Sequence, residues 1–194
     1  MSLPVLVLGS TSRYRAELLR RIYGDFEQRS PGTDESPLPD ETPRDRALRL
    51  AIAKARAAAD GLDDALVIGS DQVAELSGVV LDKPGTRERA QAQLAASSGH
   101  EVHFHTALCL HDTRNGQDRV HVDHTVVMFR TLSMAEIDRY IEREQPLDCA
   151  GSFKCEGLGI SLFERIDNED PSALIGLPLI ALARMLREAG MALP

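Results

Sequence analysis

The chain has 194 residues and a mass of 21.2 kDa, which suits one domain, or one domain with two lobes around a cleft. A hydrophobic content of 43% supports an ordinary core, yet no apolar run approaches the roughly 20 residues that cross a bilayer. The formal net charge of −8 disfavours a long nucleic-acid polymer as partner, because phosphate backbones select basic surfaces; a small phosphate ligand, which needs only local positive charge or a metal, stays open.

Cys109, Cys149 and Cys155 form no C-x-x-C pair and match neither zinc spacing nor a disulfide framework. Reduced, mostly buried thiols of a cytoplasmic protein are expected. Met1-Ser-Leu-Pro lacks a basic n-region and Gly9-Ser10 cuts the first apolar stretch short, so no secretory signal is expected.

In chain order, Val5 to Leu8 reads as a short apolar strand. A small-residue loop, Gly9-Ser10-Thr11-Ser12, leads into a helix with Leu18, Leu19 and Ile22 on one face. That helix opens with Arg13 and Arg15. Cations are unfavourable at a helix N-terminus, and an anion there would relieve the conflict. The loop is neither a Walker A sequence nor G-x-G-x-x-G, so capping by Ser or Thr explains it equally well. Gln28 to Glu41 is polar and Pro-rich and reads as a loop; it carries Asp34-Glu35.

Thr42-Pro43-Arg44-Asp45 is a helix start, with an N-cap hydroxyl, Pro at the first position and an acid three residues after the cap. The helix runs to about Ala59. At about 3.6 residues per turn, Ala47, Leu50, Ala51, Ala57 and Ala58 surround Lys54, while Arg49 and Arg56 point elsewhere. A lysine inside an apolar stripe either snorkels its stem to water or meets a buried anion, and the second is expected here.

Ala65-Leu-Val-Ile-Gly-Ser-Asp71 is the stretch around which the rest is organised. Its apolar run reads as a buried strand, with Asp71 at or near the carboxyl end, where ligand crevices of open α/β sheets form. Val73 to Leu81 reads as a hairpin around Ser77-Gly78 that brings Asp82-Lys83-Pro84 back towards Asp71. Thr86 to Ser98 is helical. Glu101 to His111 and Arg119 to Arg130 form a second hairpin around Asn115-Gly116. His103 and His105 alternate with apolar residues, which places both on a solvent-exposed strand face rather than on a metal. Ser133-Met-Ala-Glu136 is a capping box for a helix ending before Pro146. Asp148 to Gly159 is a Gly-rich loop, Ile160 to Ile166 a strand, and Pro178 to Glu188 the last helix, with Gly190 as its C-cap. The class is α/β on a twisted mixed sheet.

Ser10, Arg13, Arg15, Glu35, Lys54, Asp71 and Lys83 thus collect at strand and helix ends. Cations neutralise phosphate oxygens, and carboxylates hold a hard divalent ion or activate water. The set suits attack by water on a phosphoryl group with Mg²⁺ or Mn²⁺ sharing the charge. The residues alone leave a simple metal-dependent phosphatase open.

These residues also resemble a known family, the Maf proteins, which are nucleoside triphosphate pyrophosphatases. The resemblance covers nearly the whole chain. It rests on Gly9-Ser-Thr-Ser-Arg-Tyr-Arg15, similar to a Ser-x-Ser-Pro-Arg-Arg type motif, and on Asp34-Glu35, Lys54, Ile68-Gly-Ser-Asp71, Lys83-Pro84, Ala150-Gly-Ser-Phe153 and Gly176-Leu-Pro178. Arg13 departs from the pattern, which has Pro there; by register Arg15 matches the functional Arg. The resemblance implies an elongated sheet around a central cleft, often dimeric, and hydrolysis between the α- and β-phosphates. It implies Asp71 as general base or metal ligand, with Glu35 helping to hold the metal. It also places Ser10, Arg15, Lys54 and Lys83 on the triphosphate.

Tyr14, Gln72 and the Cys149-to-Gly157 segment look like one branch of that family, the YceF type, associated with 7-methyl-GTP. The branch acting on dTTP and UTP carries Arg, Thr and Gln where this chain has Tyr14, Gln72 and Glu156. A carboxylate accepts from the two adjacent N–H donors of guanine, and a ring made cationic by N7 methylation stacks well on an aromatic side chain. A dTTP or UTP pyrophosphatase, or a nucleotide-binding regulator of cell division with little turnover, remain the alternatives.

Overall fold

The computed structural model describes residues 4–194, so Met1 to Leu3 of the N-terminal stretch read above lie outside the described residues. The chain divides into two compact units. One runs to Asp71 and takes in Thr106–Asp123 and Asp170–Pro194; the other holds Gln72–His105 and His124–Glu169. Among the described residues, seven strands hydrogen-bond into one mixed sheet, accompanied by five α-helices, as the α/β reading requires.

In the first unit, β1 (Val5–Gly9) pairs in parallel with β2 (Glu27–Arg29) on one side and with β3 (Ala65–Leu76) on the other. Side chains alternate across a strand. Leu6 and Leu8 of β1, with Leu66 and Ile68 of β3, therefore share a core with Leu18 and Leu19 of α1 (Arg13–Arg20). Val7, Ala65 and Val67 face the other way, onto Ala58 and Ala59. This second face is covered by α2 (Pro43–Ala58), which starts where the sequence indicates: the Thr42 hydroxyl accepts from the Asp45 N–H at 3.1 Å and Pro43 is the first helical residue.

Glycine sets how closely α2 approaches the sheet. A Cβ on Gly69 would lie 2.1 Å from the Ala51 carbonyl oxygen and 2.5 Å from the Ala55 nitrogen. One on Gly9 would lie 2.8 Å from the Ala58 Cβ. Only bare backbone lets the helix lie this close.

Two expectations are corrected here. β3 is one continuous strand, so Asp71 lies within it and not at its carboxyl end. The segment read as loop from Gln28 contains part of β2, a short, polar strand with little hydrophobic signal. Backbone pairing with β1, not side-chain burial, defines it.

In the second unit, β3 turns at Ser77-Gly78 into β4 (Val79–Val80). The strands β5 (Glu101–Asp112) and β6 (Gln117–Phe129) flank Asn115-Gly116 as expected, and that turn belongs to the first unit. β7 (Phe163–Asp167) pairs antiparallel with β6. It starts three residues later than expected, because residues 158–162 wind into a 3₁₀ turn with Gly159 against the Lys154 backbone. Phe104, Phe129, Phe153 and Phe163 pack edge to face, with centroids 4.8–5.6 Å apart. Two helices belong to this unit, α3 (Arg87–Ser97) and α4 (Met134–Glu144). The capping box is present in full, with Ser133 and Glu136 bonded in both directions.

His103 and His105 are half-buried rather than freely exposed: His103 Nδ1 lies 3.0 Å from His124 Nε2, and His105 Nε2 lies 3.0 Å from Glu75 Oε1. Cys109 is buried, but Cys149 and Cys155 are only half-buried, which corrects the expectation of mostly buried thiols; all three are unbridged, with desolvation pushing each up to about 12. The last helix is α5 (Leu179–Glu188), in the first unit, and Gly190 after it has φ of 92°.

Candidate active site

Gly69 and Asp71 are two residues apart on β3 and so face the same way, towards α2. The close seat of the helix on Gly69 brings Lys54, one residue before Ala55, over Asp71. The ammonium lies 2.6 Å from Asp71 Oδ1 and 2.6 Å from Glu35 Oε1. Lys54 is 6% exposed and Asp71 7%, whereas the Glu35 side chain is 53% exposed. The lysine in the apolar stripe therefore does meet an anion, and the anion is a pair of protein carboxylates.

Glu35 reaches this point because α2 holds its loop. Arg46 donates to the Glu35 carbonyl at 3.3 Å, and Arg49 donates to the Ser36 carbonyl at 3.1 Å while pairing with Glu41. Asp34 bonds within its own loop: its Oδ1 accepts from the backbone and side chain of Ser36.

A second layer comes from the β1–α1 loop. Ser12 caps α1. Ser10, 4% exposed, accepts from the Ser12 N–H at 3.1 Å and from Arg15 Nη1 at 3.4 Å. Arg15 Nε donates to the Gly176 carbonyl at 2.8 Å. Burial pulls this guanidinium below its ordinary pKa, while the charges of Asp71 and Glu35 pull it back up. Ser10, Arg15, Glu35, Lys54 and Asp71 are thus gathered in one unit. Their two cations and two carboxylates balance.

The structure also separates the two N-terminal arginines. Arg15 points inward; Arg13 is exposed, with its guanidinium 4.8 Å above the Tyr14 ring and Nη2 donating to the Tyr14 hydroxyl at 2.8 Å. Sequence reading missed three supporting groups. Ser70 is fully buried on the opposite face of β3 from Asp71 and donates to the carbonyls of Ala107 and Gly176. Gln28 donates to the Ser10 carbonyl at 2.7 Å. The Gly176 carbonyl takes both Arg15 and Ser70. A buried serine beside a strand glycine was a usable signal; a backbone carbonyl leaves none.

The remaining named residues lie in the second unit. Gln72 is half-buried on β3, next to Asp71 in sequence. Lys83 is exposed on a segment held on both sides: Gln93 donates to the Asp82 carbonyl at 2.8 Å, and the Gly85 N–H donates to the Leu147 carbonyl at 3.0 Å. Glu156 is exposed on the 154–159 turn, with the Cys155 thiol 3.6 Å from its Oε2.

Two carboxylates converging on one cationic point are hard oxygen donors of the kind that suit Mg²⁺ or Mn²⁺, which commonly take one or two protein carboxylates and fill the remaining positions with water and phosphate. Glu35 and Asp71 offer donors of that kind, and both face the Lys54 ammonium. Among the described residues, no group of three or more His, Cys, Asp or Glu is arranged to hold a metal.

An α/β chain with a cation–carboxylate cluster beside the serine-capped start of a helix is a candidate enzyme of phosphate chemistry. The chain belongs to the Maf-like protein family, whose sequence profile matches residues 5–189. It is 58% identical over 192 residues to a protein of Burkholderia thailandensis named 7-methyl-GTP pyrophosphatase, covering 97% of this chain and 89% of that one. It is 57% identical over 194 residues to a protein of the same name from Xanthomonas oryzae pv. oryzae, covering 99% and 100%. A third such protein, from Xanthomonas axonopodis pv. citri, is 55% identical over 194 residues.

Proposed function

We propose that this chain hydrolyses 7-methyl-GTP between its α- and β-phosphates, releasing the nucleoside monophosphate and pyrophosphate. The observation that carries the chemistry is the buried Lys54 ammonium held between Asp71 and Glu35 at 2.6 Å each, with Arg15 and Ser10 beside it. Support for the base comes from full-length relatives that carry the name 7-methyl-GTP pyrophosphatase.

Asp71 orients the attacking water and accepts its proton, since its carboxylate is acceptor-only and fixed in place by Lys54. Arg15, Lys54 and Lys83 take the negative charge of the polyphosphate, and the Ser10 hydroxyl donates to it. Glu35 and Asp71 would hold the divalent ion, which when bound supplies further charge neutralisation. Tyr14, Gln72 and Glu156 select the base, with Glu156 accepting from the guanine edge and adding attraction for a cationic ring. Because Arg13 covers one face of Tyr14, the methylated base takes the other face or displaces Arg13.

No helix among the described residues is long and apolar enough to cross a membrane. Action in the cytoplasm on a free nucleotide, and assembly as a homodimer, complete the proposal; sedimentation tests the dimer.

A panel of nucleoside triphosphates with product analysis tests the whole reading. The expected result is pyrophosphate release, with 7-methyl-GTP preferred over GTP, UTP and dTTP. Orthophosphate release would overturn the bond assignment, binding without turnover would point to a regulator, and a preference for UTP or dTTP would overturn the base assignment. Chelation should abolish turnover and Mg²⁺ or Mn²⁺ should restore it; activity after exhaustive chelation would remove the metal from the proposal.

A further inference from the structure

The 154–159 turn that carries Glu156 is fastened to the C-terminal end of α4 on both sides of that residue. Two positions before Glu156, the Lys154 N–H donates to the Tyr140 hydroxyl at 3.0 Å, and the Lys154 ammonium donates to the Glu144 carbonyl at 3.1 Å. Two positions after it, the Leu158 N–H donates to Glu144 Oε2 at 2.8 Å. All of these bonds run one way, from donors on the turn to acceptors on the helix. The helix offers carbonyls and a carboxylate, and the turn offers an ammonium and an amide, with the cation where the helix dipole favours it.

Glycine also fits closely at the same contacts, at 157 against the movable end of the Glu144 side chain and at 159 against backbone. A Cβ on Gly157 would lie 2.7 Å from Glu144 Oε2, and one on Gly159 would lie 2.4 Å from the Lys154 carbonyl oxygen. Tyr140 is 5% exposed, and desolvation pushes its hydroxyl well above the usual phenol range, so it stays protonated. The outcome is a short turn with few internal degrees of freedom that leaves one carboxylate, Glu156, exposed at its tip.

We propose that Glu144 and Tyr140 are positioning residues for base discrimination: they hold the turn so that Glu156 presents its carboxylate in one orientation. This rests on the reading of Glu156 as the residue that accepts from the base. Preorganisation of this kind matters because a displaced group loses discrimination without losing the bond-breaking chemistry. Glu144 and Tyr140 belong to neither the phosphate cluster nor the base contacts.

The test is the ratio of kcat/KM for 7-methyl-GTP to that for GTP in six proteins: wild type, Glu144→Ala, Glu144→Gln, Tyr140→Phe, Glu156→Gln and the Glu144→Ala/Glu156→Gln double variant. Glu144→Ala should lower the ratio by about tenfold and Tyr140→Phe by less, with kcat on GTP unchanged. Glu144→Gln should keep the ratio, because its amide oxygen still accepts the Leu158 N–H. Placed in a Glu156→Gln background, Glu144→Ala should add no further loss, as expected of a residue acting through Glu156. If Glu156→Gln lowers the ratio and neither Glu144→Ala nor Tyr140→Phe does, the brace is overturned and the reading of Glu156 stands. Additive losses in the double variant also overturn it. If Glu156→Gln leaves the ratio unchanged, the reading of Glu156 itself falls and the brace falls with it.

Discussion

Asp71 and Glu156 are the two carboxylates with the most specific roles in the proposed reaction, and the chain holds them by opposite means. Asp71 is 7% exposed and fixed by a charge, the Lys54 ammonium 2.6 Å away. Glu156 is exposed and fixed by its backbone, through Lys154 and Leu158 on either side. Asp71 is buried as a carboxylate with the Lys54 cation as its partner, so chemistry and stability are joined there. At Glu156 they are separate: water solvates the charge, and only the direction in which it points is supplied by the fold.

The sharpest way to test the Asp71 side is Asp71→Asn. Asn keeps an oxygen for Lys54, and Lys54 keeps Glu35, so the fold should survive while turnover falls by about 100- to 10,000-fold. Near-normal kcat with unchanged melting temperature would remove Asp71 from the chemistry. Lys54→Met strikes the same pair from the other side. The variant leaves Asp71 buried without its cation and should lose about 3–5 kcal/mol in denaturant unfolding. Adding Asp71→Asn to Lys54→Met should recover much of that loss, and the absence of any recovery would show that the pair is not what sets the stability.

Gly69→Ala attacks the contact that makes the pair possible. The new methyl meets the Ala51 carbonyl at 2.1 Å, so α2 must move off β3. The expected destabilisation is about 1–3 kcal/mol, accompanied by reduced turnover as Lys54 leaves Asp71. Full activity in a folded Gly69→Ala protein would separate the helix seat from the site.

How much of this was readable beforehand follows the same division. Lys54 stood out because an ammonium inside an Ala- and Leu-rich stripe contradicts its surroundings, and Thr42-Pro43 and Ser133-Glu136 announced their helices through local bonding. Asp71 was found in sequence but misplaced, since nothing in Ser70-Asp71-Gln72 shows that a polar triplet continues a strand; backbone pairing decides that. β2 left little trace, because its side chains bury almost nothing. Glu35 was placed with the site, but nothing in its polar, Pro-rich segment shows which way it faces; Arg46 and Arg49 reaching from α2 hold its loop towards Lys54. Glu156 needed the family resemblance, because an exposed Glu in a Gly-rich turn carries no physical anomaly. Its brace from Glu144 is a contact between residues 14 apart, to a backbone N–H that no side-chain pattern reveals.

The smallest predicted effect lies at the other end of the helix that holds Glu156, and it sharpens the contrast by titration. Glu136 is held down to about 2, from an ordinary 4.5, chiefly by the Ser133 backbone N–H, then by the Ser133 hydroxyl and Arg130. Its folded-state pKa is depressed, so the unfolded chain binds more protons between those two values. The contribution to stability is therefore complete above about 4.5 and is lost as pH falls towards about 2. Because Glu136 is solvent-facing, part of the effect is screened and the shift in melting temperature should be modest. Glu136→Gln keeps an oxygen at the cap but cannot ionise. Melting temperatures of wild type and Glu136→Gln should therefore differ at pH 6 and converge as the pH approaches 2. A gap that stays constant across that range would mean that the cap works as a neutral hydrogen bond, and that α4 reaches Glu156 without help from charge at its start.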